Sequence, residues 1–161
     1  MKERLNIVTV EGMRSLGEDI GATLLPQTTI LLKGDLGAGK TTLSQAIAKG
    51  LAIQERVSSP TFTIVKEYES GRLPLYHIDA YRLEGGDDIG IEDYFTFTGV
   101  TIVEWPSMIA ESLPHAYISI EINYAENGRE LFIDTTDQRY NQLVTQWCKP
   151  YQEGNNETAN Y

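Results

Sequence analysis

The sequence predicts an α/β fold, a single domain with a mixed parallel/antiparallel sheet flanked by helices. Three observations carry this expectation. The run Thr28 to Lys33 (TTILLK) is apolar and β-branched with little alternation, as in a strand buried on both faces. A glycine-rich loop follows it directly and leads into an amphipathic helical pattern, the strand–loop–helix order of α/β proteins. Elsewhere, pairs of strand-like runs are separated by short turn-forming segments, so part of the sheet is antiparallel. At 161 residues the chain suits one domain with a real core. We place that domain at 1–150 and read 151–161 (YQEGNNETANY) as a disordered tail with almost nothing to bury.

Taken in order, Asn6 to Val10 reads as a short strand, and Met13, Leu16, Ile20 and Leu24 then recur at helical spacing. Gly12, Gly17 and Gly21 weaken that helix, since glycine costs about 1 kcal/mol relative to alanine. Pro26 closes it. After the glycine-rich loop, Leu43, Ala46, Ile47 and Leu51 mark a second helix with Gly50 near its end. Thr61 to Asp79 reads as two strands joined across Ser70, Gly71 and Arg72, an antiparallel hairpin. Glu84 to Gly90 is a polar loop before a short helix at Ile91 to Phe95. Val100 to Val103 is a compact strand ending at Glu104, Trp105 and Pro106. Ala116 to Tyr124 and Glu130 to Thr135 flank a turn at Glu126, Asn127 and Gly128, and Tyr140, Leu143, Val144 and Trp147 share one face of a last helix before Pro150.

Charge and cysteine usage narrow the function classes. The formal net charge is −10, from 23 acidic and 13 basic residues, and no basic patch is present to neutralise several nucleic-acid phosphates. Direct, tight nucleic-acid binding is therefore not expected. Cys148 is the only cysteine, so an intramolecular disulfide or a cysteine-rich zinc cluster is excluded. No segment approaches the ~20 apolar residues needed to cross a bilayer. The expectation is a cytoplasmic protein without a membrane role.

The segment GDLGAGKT, Gly34 to Thr41, has the spacing of a phosphate-binding loop: glycine, four residues, then Gly39, Lys40 and Thr41. Glycines let backbone N–H groups of Leu36, Gly37, Ala38 and Gly39 turn toward an anion, and the start of the following helix adds partial positive charge. Lys40 supplies a full charge for β- and γ-phosphates, and the Thr41 hydroxyl offers a Mg²⁺ ligand. Hydrolysis also needs an acid at the end of a neighbouring strand. Glu104 and Asp79 both follow apolar runs in that position, and spacing does not decide between them. A lone histidine in an apolar strand, His77, reads as a hydrogen-bonded core residue.

Four motifs in order, GDLGAGKTT (Gly34 to Thr42), SPTF (Ser59 to Phe62), HIDAYRL (His77 to Leu83) and EWP (Glu104 to Pro106), resemble the TsaE family, bacterial ATPases of tRNA threonylcarbamoyladenosine biosynthesis. The resemblance runs from about Thr9 to about Trp147. It implies a P-loop domain that takes ATP and Mg²⁺ and serves a TsaD–TsaB heterodimer, in which the tRNA chemistry belongs to TsaD. Carried over, Lys40 and the loop through Thr42 would bind phosphate, Thr41 and Glu104 would ligate Mg²⁺, and Asp79 would assist hydrolysis. Trp105 would sit beside the site, Thr9 would touch nucleotide, and Ser59 to Thr61 would form a switch-like loop. Gly12 and Met13 depart from the family's usual glutamate and threonine. A small-molecule kinase and a non-catalytic ATP-gated binding module are the alternatives. Against the kinase, Arg56, Arg72, Arg82, Arg129 and Arg139 are scattered, without a lid-like cluster.

Overall fold

Unbroken apolar runs form the middle of the sheet, and alternating runs form its flank. The computed structural model describes residues 1–58, 64–82 and 90–152. Their strands are β1 (Lys2–Ile7), β2 (Thr28–Gly34), β3 (Val65–Tyr68), β4 (Leu75–Asp79), β5 (Val100–Glu104), β6 (Ile118–Ala125) and β7 (Gly128–Thr135). The α-helices are α1 (Val10–Thr23), α2 (Lys40–Gly50), α3 (Ile91–Tyr94) and α4 (Asn141–Cys148). One sheet runs β1-β7-β6-β2-β5-β4-β3. β2 is parallel to β5 and β6, and β4 is parallel to β5, whereas β1/β7, β6/β7 and β3/β4 are antiparallel.

This mixed sheet matches the expected class. Every residue of β5 is buried, as are the first five of β2, because both sheet faces are covered there. On one face Ile30, Leu32, Val100 and Ile102 meet α1, α2 and α4. On the other, Leu31, Ile78 and Val103 pack with Ile91, Phe95 and Ile109. β6 and β7 bury residues on one face and leave Glu121 and Asp134 exposed on the other.

Four sequence expectations change. Val10 is helical, not the end of a strand: Thr9 is extended and its Oγ1 accepts the Gly12 N–H at 3.0 Å, a cap that turns the chain into α1. Gly17 and Gly21 are buried contact points rather than weak spots in α1. A Cβ at Gly21 would collide with the Ile47 carbonyl, and one at Gly17 with Ala46, so α1 and α2 approach only because both are glycine. Pro150 does not end the packed chain. A 3-10 turn at Lys149–Tyr151 buries Tyr151 in the core, and Gln152 Nε2 donates to Glu3 Oε2 at 2.5 Å. Lastly, Tyr140 is buried but lies in a 3-10 turn just before α4. The start of the expected Thr61 strand, the loop at 84–89 and residues 153–161 lie outside the described residues. Among those described, no helix is long and apolar enough to cross a membrane.

Candidate functional site

β2 ends at Gly34 and α2 begins at Lys40, so the glycine-rich loop emerges from the carboxyl end of the central strand. Gly37 has φ 80° and Gly39, the residue capping α2, has φ 126°, backbone that side chains rarely adopt. Gly39 carries no capping side chain, so the first N–H groups of α2 are left to an incoming acceptor. Two side chains hold the loop by its carbonyls. Tyr124 Oη donates to the Leu36 carbonyl at 2.9 Å, and Arg129 Nε donates to the Ala38 carbonyl at 2.8 Å. The Leu36 side chain is 89% exposed, so only its backbone belongs to the loop's concave side.

Lys40 is buried at 7% exposure, yet no carboxylate pairs with it among the described residues. Its Nζ instead lies 4.1 Å from the Trp105 ring centroid. Trp105 is not a core aromatic: it is 37% exposed, adopts φ 58° and ψ 52°, and meets the Tyr81 ring at 5.4 Å. A left-handed conformation at a bulky residue costs on the order of 1–3 kcal/mol. Here it brings the indole back over the lysine.

The two candidate acids sit side by side. The register pairs Asp79 with Glu104 and Leu32 with Glu104, which sets both acids at the sheet end from which the loop emerges. Paired residues of a parallel ladder share a face, here the face covered by α1 and α2. Glu104 is buried, and one pleat back His77 Nε2 lies 2.6 Å from its Oε2. A carboxylate only accepts, so Nε2 carries the proton; the buried Nδ1 has no partner. His77 is thus a hydrogen-bonded core residue, as its setting in the sequence suggested. Asp79 Oδ1 accepts the Tyr81 N–H at 3.1 Å.

Two clefts flank the loop. One, of about 240 Å³, is lined by Thr9, Val10, Met13, Gly37, Gly39, Thr42 and others. The second, of about 260 Å³, is lined by Gly34, Asp35, Lys40, Trp105 and neighbouring residues. Thr9 therefore reaches a cleft shared with the loop while also capping α1. Met13 occupies the same wall.

The structure gathers Thr9, the loop, Lys40, Thr42, Asp79, Glu104 and Trp105 at one end of the sheet. Thr41 is exposed at the second position of α2. The set fits an anion with a hard cation: an unpaired buried ammonium, an uncapped helix start, and the oxygens of Thr41 and Glu104. The expected switch at Ser59 to Thr61 lies outside the described residues, as does the Arg82 side chain. Sequence reasoning missed Tyr124 and Arg129 as site residues. Only their closeness to the turn at Glu126 to Gly128 marked them, and nothing local tied that hairpin to a loop some ninety residues earlier.

Residues 7–131 match the family model described as threonylcarbamoyl adenosine biosynthesis protein TsaE. The chain is 43% identical over 138 residues to the tRNA threonylcarbamoyladenosine biosynthesis protein TsaE of Bacillus subtilis (strain 168), covering 84% of this chain and 87% of that one. It is 43% identical over 124 residues to the protein of the same name from Nostoc sp., covering 73% and 76%. Among solved structures, the crystal structure of Bacillus subtilis YdiB superposes with a TM-score of 0.78 at 36% identity, covering 92% of this chain and 95% of that one. The fold, the ordered motifs and these relatives agree, and the chain belongs to the TsaE family.

Proposed function

We propose that this chain binds ATP with Mg²⁺ and hydrolyses it in support of threonylcarbamoyladenosine formation in tRNA, acting on a TsaD–TsaB pair and not on the tRNA itself. The observation that carries the reading is Lys40, a buried ammonium at the first turn of α2 that has no carboxylate partner among the described residues and lies against an aromatic ring. A desolvated cation without a carboxylate is costly, and a phosphate chain would complete it. In this reading the N–H groups of Gly37 to Lys40 and the Lys40 ammonium hold the phosphates. Thr41 and Glu104 supply oxygen ligands for Mg²⁺, with His77 orienting Glu104, and Asp79 orients a water. Bound Mg²⁺ would offset charge developing on the phosphates. The names of the relatives support the pathway, and the net charge of −10 suits work beside a nucleic-acid enzyme instead of direct tRNA binding.

Against a kinase reading, three of the arginines are engaged elsewhere. Arg72 is spent on the Gly21 and Leu24 carbonyls, Arg139 pairs with Asp137, and Arg129 braces the loop. The test is ATP hydrolysis by the purified chain, alone and with TsaD–TsaB, comparing wild type with Lys40→Ala and Glu104→Ala. We expect Lys40→Ala to lose ATP binding and Glu104→Ala to lose turnover by at least about a hundredfold. Normal hydrolysis by Lys40→Ala would overturn the site. Binding without turnover under every partner condition would leave the ATP-gated module.

A further inference from the structure

We infer that Arg129 and Tyr124, on the β6–β7 hairpin, are positioning residues that set the glycine-rich loop in its anion-receiving shape before a ligand arrives. The inference rests on the ATP-binding reading for its purpose, but its geometry is independent of it. In a trans peptide the C=O of one residue and the N–H of the next point in opposite directions. Tyr124 Oη holds the Leu36 carbonyl at 2.9 Å, so the Gly37 N–H is turned away from the hairpin. Arg129 Nε holds the Ala38 carbonyl at 2.8 Å, so the Gly39 N–H is turned away likewise. Two alternate peptide planes of the loop are therefore fixed by side chains of one hairpin, of which Arg129 also lines the cleft beside the loop. Glycines make such a loop able to adopt this shape, and equally able to leave it.

The brace is itself anchored. Arg129 Nη1 donates to the Gly128 carbonyl at 2.9 Å, and the guanidinium lies 4.5 Å from the Tyr124 ring centroid, so the two side chains orient each other. At Gly128, φ is 101° and a Cβ would collide with the Ile7 carbonyl, which seats the hairpin turn on the end of β1. The reach of Arg129 from that seat is short and set.

Two measurements on the full-length chain test this. The first is hydrogen exchange of peptides covering 34–42 without nucleotide. We expect at least about tenfold faster exchange there in Arg129→Ala and Arg129→Gln, with β2 and β5 unchanged. The second is titration with ATP and Mg²⁺. We expect about tenfold weaker binding for Arg129→Ala and about threefold for Tyr124→Phe, the scale of one lost hydrogen bond. Arg129→Lys should not restore affinity, because it keeps the charge without the fixed N–H geometry. Full rescue by Lys, or wild-type exchange and affinity in Arg129→Ala, would overturn the brace. If wild type and Lys40→Ala alike failed to bind ATP, the nucleotide reading would fall while hydrogen exchange still decided the brace. If instead Arg129→Ala unfolded, Tyr124→Phe and Arg129→Gln would carry the decision.

Discussion

His77 shows how much one side chain can settle around a buried acid. Its ring is 1% exposed and its Nε2–H meets the Glu104 carboxylate, which is itself buried. Replacing it by alanine removes a hydrogen-bond partner of that carboxylate and leaves a cavity. We expect His77→Ala to lose about 2–4 kcal/mol of stability in urea unfolding followed by tryptophan fluorescence. A loss under about 0.5 kcal/mol would mean that Glu104 finds another partner or water. At this scale the sequence was informative where a motif needs a particular residue type at a particular spacing: Lys40, Thr41 and the glycines are legible as a phosphate-loop pattern, and the structure sets them between β2 and α2. Glu104 and Asp79 were legible as strand-end acids, but their side-by-side register was not, because strand order is a long-range property. Trp105 was ambiguous for a physical reason. A tryptophan is usually buried, and only its left-handed backbone reveals that it is turned out over Lys40.

Among the elements, α1 and α2 pack closely at Gly17, Gly21 and Gly50, which makes their contact sensitive to substitution. Gly21 faces the Ile47 carbonyl, Gly50 and Leu51, all backbone atoms that have no rotamer into which they can retreat. We expect Gly21→Ala to destabilise the chain by about 1–3 kcal/mol, seen as a lowered Tm, although alanine is the better helix former. A raised Tm would show that the helices can separate without cost. Because α2 begins at Lys40, such separation should also displace the loop. The helices and the hairpins were readable from apolar spacing and turn residues, as at Leu43 to Leu51 and at Glu126 to Gly128. The end of β1 was misjudged because Thr9 reads as strand by propensity while its hydroxyl caps a helix. The glycines of α1 were misjudged because propensity prices an isolated helix and not the neighbour it packs on.

Across the whole molecule, Cys148 reports the integrity of the fold. It lies in the core at the end of α4, and burial pushes its thiol from 9.0 up to about 12. We expect no reaction with a thiol reagent at pH 8 in the native chain and prompt reaction in denaturant. The sign of its linkage follows. Below pH 9 both states hold the proton, and as pH climbs from 9 toward 12 the unfolded chain releases a proton that the folded chain keeps, so stability declines. Labelling of the native chain at pH 8 would contradict the packing around α4. The sheet order has a further outcome, one that concerns synthesis. Among the described residues β1 finds its ladder in β7, Lys2 opposite Asp134, and β2 needs β6 on one side and β5 on the other. A nascent chain leaving the ribosome therefore carries its first strand unmated until β7 has been translated. The glycine-rich loop, although encoded early, acquires its full brace only then, so premature termination before Arg129 would yield a polypeptide with the phosphate-loop motif but without the side chain that holds the Ala38 carbonyl.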